Sequence, residues 1–562
     1  MRNRLFLAVI PAAALLAVLP LVVRGPSCGH DSAFHLLNWL EVRSQWEQGV
    51  AFPRWEFTSA WNSGEPRFVF YPPLSWALGA VLGVMLPWAA VPIVFIWMAL
   101  CACGFTMYRL AREWTAAAGA LVAACFYMVH PYMLFTFFER SAYAELLAAA
   151  WIPLLLLSIL RRRLTITGIA MPVALLWLTD DPAAVMGCYS FALLAMVRVA
   201  WSWVRLRQRR DALTDAAKAV AGVCLGLALS GFYLIPASVE QRWLHIDMEN
   251  VPATSYPANF FFGHTGTASH IAILRTASFC SASLLLCIVV FGALSVSGRA
   301  EGDRNGRGES RRLAELALLL LTAALLFLLT APSAPLWRVI PELKYLQFPW
   351  RFDAVLGAAA AVFLALALHR LPRRSSVAIG AGLAICLIGG AMGNRLYRQF
   401  CRATNGVPGL VAAFHEGALH DPTDEYTPAT CNPAELGHDN PAAWIAPAPG
   451  ATAPQPEMGQ DPASLGTRLH FSVLSAQPAY FVINLRDYPA WRVSLNGKLI
   501  VNRPHRNDGL IVVPIPAGSS AIRIRYALTP DYVAGCVLTL LAALLLPVVR
   551  RYDRHDAGPR PS

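Results

Sequence analysis

The chain opens MRNRLFLAVIPAAALLAVLPLVVRGPSCGHDSAFH (residues 1–35), and this stretch decides the class of protein. Its apolar run, residues 5–23, has about the length that a helix needs to cross roughly 30 Å of hydrocarbon. The run ends at Arg24-Gly25-Pro26 without a small-residue cleavage site, so the sequence predicts a retained first membrane helix rather than a cleaved signal peptide. The polar residues from Cys28 to His35 are then expected to leave the membrane together.

Composition extends this interpretation to the whole chain. Apolar residues make up 56% of 562 and charged residues 14%, and the mean hydropathy is +0.47. Soluble proteins carry about 25% charged residues, and here the apolar residues recur in runs long enough to span a bilayer. The formal net charge of +12 comes mostly from arginines grouped between these runs. It therefore indicates a cytoplasmic charge bias rather than nucleic-acid binding.

Arginine-rich turns and arginine-poor connections alternate along the chain. Because cytoplasmic loops are enriched in Lys and Arg, the alternation predicts about twelve spanning helices with both termini in the cytoplasm. The basic segments are residues 2–4, 109–112, 161–163, 205–210, 299–312, 370–374 and 550–554, and the connections assigned to the outside are 26–87, 139–142, 179–182, 237–276, 332–351 and 394–530. Residues 72–86 are apolar but short for a crossing, so they are predicted to form a juxtamembrane or re-entrant outer helix.

The last third of the chain changes character. Pro, Ala and Gly without periodicity are typical of an irregular linker, and short alternating runs with a hairpin signal at Asn496-Gly497 predict strands. We therefore predict a mostly α-helical membrane protein with a small extracytoplasmic β-sandwich-like domain. The divisions are a polytopic domain at residues 1–400 with its outer first loop at 25–87, a linker at 401–465, the β-domain at 466–530, and a last spanning helix with a basic tail at 531–562.

The 12 cysteines show no zinc-site spacing. Most of them lie singly within apolar runs and are typical of small buried side chains. Cys401 and Cys431 both lie in the outer C-terminal segment, where an oxidising compartment permits a disulfide. The sequence leaves open whether these two pair, because it does not give the distance between them.

Polar side chains that can carry chemistry gather at the predicted outer ends of the helices. Asp31 and His35 lie four residues apart after the first helix. The carboxylate either caps the next helix or acts with the imidazole as a base or divalent-metal ligand. Arg140 and Glu145 lie in a very short outer connection, where they either pair with each other or leave the guanidinium to hold a phosphate.

Two further clusters lie on the same predicted side. Asp180 and Asp181 precede Pro182 at a helix start, where one carboxylate is expected to cap the helix and the other is available to a polar site. Lys344 and Arg351 flank an aromatic segment before a span. That segment is either an ordinary interfacial belt or a binding site for a lipid-linked phosphate.

These residues resemble two known groups of membrane proteins. An aspartate just after the first helix, the step Tyr71-Pro72-Pro73 and an arginine-bearing outer turn resemble the GT-C superfamily of polyprenyl-phosphate-dependent glycosyltransferases. A closer resemblance is to the bacterial 6-pyruvoyl-tetrahydropterin synthase-related membrane proteins and, in the β-domain, to YfhO-like proteins. The motifs that carry it are HDSAFH (30–35), GEPRFVFYPPLSW (64–76), ERSAYAE (139–145), LQFPWRF (346–352) and DYPAWRVSLNGK (487–498). Pterin synthesis itself is not expected, because no histidine triplet has the spacing of a zinc site.

The resemblance implies a GT-C-like fold and an inverting sugar transfer on the extracytoplasmic face of the bacterial inner membrane. Asp31 would be the catalytic base, and Arg140 and Arg351 would stabilise the polyprenyl-phosphate leaving group. The other substrate-binding candidates are His35, Arg54, Glu65, Tyr71, Glu145, Asp180, Asp181 and Lys344. No cofactor is required, and a divalent metal on Asp31, His35 and Asp180 is optional. The implied partners are a polyprenyl-phosphate sugar donor, a glycan, lipid or protein acceptor, and membrane lipids.

Two other functions stay open on the residues alone. A polytopic transporter or flippase is expected to have inverted repeats and polar groups near mid-membrane, whereas no internal repeat is evident and the acidic residues lie at helix ends. A non-catalytic envelope assembly protein would keep the same scaffold and bind glycan through its β-domain. The chain lacks a WWD-like motif, so a protein-sequon acceptor is not expected.

Overall fold

The structure of the protein is a computed structural model. The residues it describes are 2–245, 254–297, 307–370, 375–418, 424–454 and 466–556. The predicted basic turns at 299–312 and 370–374, the predicted linker and the basic tail each lie partly outside these residues. Helices make up most of the described chain, and the strands of its sheets lie in the C-terminal part.

The apolar runs of the described chain fold as helices, because backbone groups within hydrocarbon must be paired inside their own segment. The helices are α1 (Arg2–Arg24), α2 (Ser32–Glu47), α3 (Ser59–Asn62), α4 (Arg67–Phe70), α5 (Pro73–Met85), α6 (Val91–Ala111), α7 (Ala117–Val129), α8 (Pro131–Leu134), α9 (Tyr143–Ala148), α10 (Ile152–Leu160), α11 (Ile166–Trp177), α12 (Asp181–Ala200), α13 (Arg209–Leu229), α14 (Gly231–Glu240), α15 (Ala268–Ser297), α16 (Arg307–Leu328), α17 (Ala334–Val339), α18 (Asp353–Ala367), α19 (Ser375–Leu396), α20 (Val407–His415) and α21 (Pro530–Asp556). A π-helical turn, Phe135–Arg140, continues α8.

Nine helical segments among the described residues are long and apolar enough to cross a membrane, or eleven if each of two bent pairs is one span. The bent pairs are Ala117–Val129 with Pro131–Arg140, at 44°, and Glu309–Leu328 with Ala331–Val339, at 92°. The sequence predicted about twelve spans, close to the upper count of eleven. The helix α11 is also apolar, but its 12 residues are too few for it to be counted as a span. The chain is a multi-pass membrane protein.

The helix α5 is apolar but shorter than each of the nine candidate spans of the described chain. Its 13 residues extend about 20 Å, less than the hydrocarbon thickness. It packs along α2, where Gly79 lies directly against the indole of Trp39 and a Cβ atom would fall 2.2 Å from that ring. The short length of α5 agrees with the expectation that residues 72–86 do not form a full span, and their position as a juxtamembrane or re-entrant helix stays a prediction.

Two antiparallel sheets form the C-terminal β-domain. Their strands are β1 (Ala443–Ala446), β2 (Arg468–Ser475), β3 (Ala479–Arg486), β4 (Trp491–Leu495), β5 (Lys498–Ile500), β6 (Leu510–Ile515) and β7 (Gly518–Tyr526). The sheet orders are β1-β3-β6 and β2-β7-β4-β5, and apolar side chains from both sheets share one core. The predicted fold class is confirmed. Strand β1 comes from within the segment that the sequence assigned to the linker.

A buried ion pair fastens the β-domain to the helices. Arg54 donates to the carboxylate of Glu240 on α14 at 2.9 Å. Tyr488 and Thr529 donate to the same carboxylate at 2.6 and 2.9 Å, and the Arg54 guanidinium lies 4.4 Å from the ring centre of Tyr532. Arg54, predicted to bind substrate, is committed to this junction instead, because a buried guanidinium is stable only beside a carboxylate.

A second buried network holds the first loop in place. Glu65 is fully buried and accepts a hydrogen bond from Arg67 at 2.7 Å. Arg67 also donates to Asn38 of α2 at 2.9 Å and lies 3.7 Å from Glu56, while Trp55 of the same loop enters the β-domain core. The structure thus places Glu65, another predicted substrate-binding residue, in the scaffold that joins the first loop to α2.

The disulfide differs from the pair considered in the sequence. Cys28, after α1, is bonded to Cys401, after α19, with the two Cα atoms 5.1 Å apart. Cys431 is a buried free thiol packed against Gly509. The pairing with Cys28 follows from helix packing, because α1 lies along α19 so closely that a Cβ on Gly390 would fall 2.3 Å from the carbonyl oxygen of Ala17.

Peptide mapping under non-reducing conditions is expected to recover Cys28 linked to Cys401. The bond joins cysteines 373 residues apart, so Cys401→Ser is expected to lower the free energy of unfolding by roughly 2–5 kcal/mol. The control Cys224→Ser removes an exposed free thiol and is expected to leave thermal unfolding unchanged. A peptide that links Cys401 to Cys431 would contradict the structure.

Candidate active site

The loop after α1 is pinned to the turn that precedes α9. The amide of Asp31 donates to the carbonyl of Arg140 at 2.8 Å, and the amide of Gly29 donates to Ser141 Oγ at 3.2 Å. Gly29 is required for this approach, since a Cβ atom there would lie 2.4 Å from the Glu139 carbonyl oxygen. Ser141 has a φ of 54° and turns the chain into α9. These contacts bring the Asp31 carboxylate to the Arg140 guanidinium.

Four charged side chains of alternating sign, Asp31, Arg140, Glu145 and Arg351, form a chain across the site. Arg140 Nη2 lies 3.6 Å from Asp31 Oδ2, and Arg140 Nη1 lies 2.6 Å from Glu145 Oε2. Arg351, just before α18, places its Nε 3.7 Å from the same Glu145 oxygen. The Asp31 side chain is 40% exposed, whereas that of Glu145 is 4% exposed. This charge chain therefore has one solvent-accessible end, at Asp31.

The Asp31 carboxylate does not cap α2. Its side chain makes no capping hydrogen bond to the first turn of this helix, although its backbone carbonyl accepts from the amide of His35 at 3.1 Å. Ser32 Oγ donates back to the carbonyl of Gly29 at 2.7 Å. The sequence left open whether the Asp31 carboxylate caps α2. The structure shows that it does not, because the carboxylate faces Arg140 instead.

Two aromatic side chains lie at the site: Tyr132, which was not singled out in the sequence, and Trp350, which belongs to the predicted aromatic segment before α18. The Tyr132 hydroxyl donates to Glu145 and accepts from Arg140 Nη1, the latter at 3.4 Å. The ring of Trp350 lies 5.0 Å from the Arg140 guanidinium. Tyr132 precedes Arg140 by eight residues, about two helical turns, which is the signal that could have placed both on one face.

The two aspartates at the start of α12 have different partners. Asp180 Oδ2 accepts from the amide of Ala183 at 2.9 Å, so it caps the helix. Asp181 Oδ2 accepts from the hydroxyl of Tyr233 on α14 at 2.5 Å. The prediction that one of the pair caps α12 is confirmed. Asp181 ties the start of this helix to α14.

Asp180 and Tyr71 share the electrostatic environment of the charge chain. Burial, and next the charge of Glu145, raise the pKa of Asp180 to about 6, while Arg351 opposes this rise. Burial, and next the charges of Asp180 and Asp31, raise the pKa of the Tyr71 hydroxyl well above its usual value. The first loop therefore contributes Tyr71, and α12 contributes Asp180, to the walls of the site.

His35 joins α2 to α9 as a neutral side chain. Its Nε2 accepts from the amide of Tyr143 at 3.1 Å. Burial lowers the pKa of His35 to about 4, although the charge of Asp31 opposes this. His35 was predicted as a base, metal or substrate ligand. The structure instead occupies its Nε2 with a backbone amide, because a buried imidazole needs a hydrogen-bond partner.

Two further predictions concern Lys344 as a substrate-binding residue and a divalent-metal site. Lys344 is exposed, with its ammonium 4.6 Å from the ring centre of Tyr345. Within the described ranges, no three His, Cys, Asp or Glu side chains are arranged to hold a metal ion. Asp31, His35 and Asp180 therefore do not form a ready ligand set in this structure.

An accessible carboxylate can accept a proton from a hydroxyl, and guanidinium groups such as those of Arg140, beside Asp31, and Arg351, linked to it through Glu145, can hold an anionic group. The fold and site thus define a multi-pass membrane protein with a cluster of charged side chains where helix ends meet the first loop. The chain belongs to the family described as 6-pyruvoyl-tetrahydropterin synthase related domain, membrane protein, which matches residues 68–396.

Solved structures with partial similarity include three transferases. Arabinofuranosyltransferase AftD from Mycobacteria is 18% identical with a TM-score of 0.41, over 69% of this chain and 28% of that chain. The Archaeoglobus fulgidus oligosaccharyltransferase in the apo form is 14% identical with a TM-score of 0.34, over 71% and 57%. ArnT from Cupriavidus metallidurans, bound to undecaprenyl phosphate, is 11% identical with a TM-score of 0.28, over 72% and 88%. The chain thus spans less than a third of the arabinofuranosyltransferase. No curated protein matches it.

Glu145→Gln is expected to destabilise the protein far more than Asp31→Asn. Losing the Glu145 charge leaves the buried Arg140 and the largely buried Arg351 without their shared partner, which costs roughly 3–5 kcal/mol. Asp31 is partly exposed, so its neutralisation is expected to cost under about 1 kcal/mol. Thermal unfolding of the purified variants in detergent measures the difference. Equal losses would contradict the central position of Glu145 in the charge chain.

The pH dependence of stability is expected to show the neutral state of His35. Its folded pKa is below the ordinary value of 6.5, so the unfolded chain binds the proton first. The stability that His35 contributes is present above pH 6.5 and is lost as the pH falls toward 4. Between these limits, the wild type is expected to lose on the order of 3 kcal/mol more than His35→Gln. Unfolding curves that shift in parallel for both proteins would refute this.

Proposed function

We propose that the chain is a membrane glycosyltransferase. It transfers a sugar from a polyprenyl-phosphate-linked donor to a glycan, lipid or protein acceptor on the extracytoplasmic face of the bacterial inner membrane. The observation that carries the proposal is the charge chain, in which the accessible Asp31 is joined through Arg140 and Glu145 to Arg351. Sugar transfer from a phosphate needs a base for the acceptor and cations for the leaving group. The sequence motifs that resemble GT-C enzymes support the same chemistry.

Asp31 acts as the base in this reaction. Its carboxylate takes the proton of the acceptor hydroxyl while the acceptor oxygen forms a bond to the anomeric carbon. The bond from that carbon to the phosphate oxygen breaks on the opposite face of the sugar. The electron pair leaves with the polyprenyl phosphate, and the anomeric configuration is inverted.

Arg351 is the residue best suited to hold the leaving phosphate. Its Nε is buried and makes no hydrogen bond to a residue of the described chain, and its contact with Glu145 is long at 3.7 Å. Arg140 is held more tightly by Glu145, at 2.6 Å, and faces Asp31, so it positions the base. Donors already fixed inside a pocket stabilise developing charge without reorganising at the moment of reaction.

The extracytoplasmic placement rests on two features of the chain. The arginine bias of the loops puts the first loop outside. Cys28 lies three residues before Asp31, and its disulfide to Cys401 is of a kind that persists in oxidising compartments. The scheme requires no cofactor. Comparing transfer in EDTA with transfer in added Mg²⁺ or Mn²⁺ tests whether a divalent cation contributes.

Asp31→Asn is expected to lower sugar transfer by about 10²–10⁴-fold, because the amide cannot take the proton from the hydroxyl group of the sugar acceptor. The assay follows labelled polyprenyl-phosphate sugars into acceptors in membranes that contain matched amounts of each variant. The control is Asp211→Asn, which makes the same change at an exposed residue at the start of α13.

Arg351→Gln is expected to raise the KM for the donor, whereas Arg338→Gln, at an exposed arginine, is not.

Two outcomes would overturn the proposal. Full transfer by Asp31→Asn would show that this carboxylate is not the base. Movement of a polyprenyl-phosphate sugar across vesicles that contain the purified protein, without transfer to any acceptor, would make the chain a flippase.

A further inference from the structure

The outer face of the sheet β2-β7-β4-β5 carries a row of arginines. Side chains alternate along these strands, so Ile522 and Ile524 of β7 point into the β-domain core while Arg523 and Arg525 point outward. Arg525 lies directly opposite Arg468 of β2 on one side and Arg492 of β4 on the other. Three guanidinium-bearing residues therefore stand side by side across three strands.

The next row reinforces the first. Arg523 lies opposite His470 on β2 and Ser494 on β4. These six residues of the two rows line a groove of about 800 Å³. Neighbouring strands are about 4.8 Å apart, and alternate residues of one strand are about 7 Å apart. The groove therefore presents several cations at regular intervals, and an extended polymer with repeated anionic groups could contact more than one of them.

The arrangement costs the fold stability unless something covers it. Like charges directly opposite each other on neighbouring strands are destabilising. None of the four arginines forms an ion pair with a residue that the structure describes. Other arginines of this domain do have partners, since Arg503 lies 2.6 Å from Asp487 and Arg506 lies 2.6 Å from Asp508. The domain thus leaves this one face positive.

We propose that this groove, defined by Arg468, His470, Arg492, Ser494, Arg523 and Arg525, binds an anionic glycan that carries carboxylate or phosphate groups. Guanidinium groups pair with both kinds of anion through two parallel hydrogen bonds. Among the residues that the structure describes, no Trp, Tyr or Phe lines the groove. Such side chains would be expected for stacking on a neutral sugar or for anchoring at a bilayer surface. The site is separate from the Asp31 pocket and does not depend on the proposed transfer reaction.

Binding of a labelled polygalacturonate oligomer to the full-length protein, in nanodiscs of phosphatidylcholine, tests the proposal. The wild type is expected to bind it with an affinity that falls as salt is raised, and to ignore a neutral dextran oligomer. The double variant Arg492→Gln/Arg525→Gln is expected to bind at least about tenfold more weakly. Arg402→Gln makes the same kind of change at an exposed arginine that does not line the groove and is the matched control.

The folding of the variants is checked by thermal unfolding, which is not expected to shift to lower temperature, because the substituted side chains are exposed and removing neighbouring like charges relieves their repulsion. A second variant, Arg525→Glu, places a negative charge at the centre of the row and is expected to abolish binding. Wild-type affinity in both variants, or no binding by the wild type, would overturn the proposal. Binding to phosphatidylglycerol vesicles with none to the oligosaccharide would also overturn it, because the face would then be a lipid-headgroup surface.

Discussion

The architecture of the candidate site depends on the need to pair two largely buried guanidinium groups that lie where helices end. A buried charge without a partner costs several kcal/mol, and at membrane depth few partners are within reach. Glu145 meets this need for both Arg140 and Arg351. Because Arg140 and Glu145 come from α9 and the turn before it, whereas Arg351 lies at the entrance to α18, one carboxylate joins two segments that are far apart in the sequence.

The elements around the charge chain reduce the freedom of its exposed end. The backbone of Gly29 and Asp31 is hydrogen-bonded to the turn that carries Arg140, and the disulfide at Cys28 anchors the same loop to the end of α19. On the other side, α5 packs over α2, and Trp55 of the first loop is buried in the β-domain core. A side chain that is itself partly solvated is thus held on a rigid backbone, as a residue that contacts a substrate requires.

Much of the fold follows from local patterns, whereas the partners within the site do not. Apolar runs and alternating strands predicted the helices and β2 to β7, and Asp180 before Pro182 predicted a helix cap. Arg54 was assigned to the pocket because it lies in the first loop, yet its partner Glu240 is 186 residues away. Cys28 pairs with Cys401 for the same reason: the packing of α1 on α19 is a tertiary fact that no spacing encodes. Tyr132 was not predicted because a tyrosine within an apolar run has the pattern of an ordinary buried side chain.

The geometry also explains why Asp31, rather than Glu145, is the candidate base. Glu145 shares its two oxygens among Tyr132, Arg140 and Arg351, so a proton on it would remove the counter-charge of two buried cations. Asp31 has one ion-pair contact within the described chain, through Oδ2 at 3.6 Å, and its side chain is 40% exposed. Protonating Asp31 therefore disturbs little of the scaffold and occurs where an acceptor hydroxyl can reach. The same four charges thus consist of two cations paired around Glu145 and a more exposed carboxylate at Asp31.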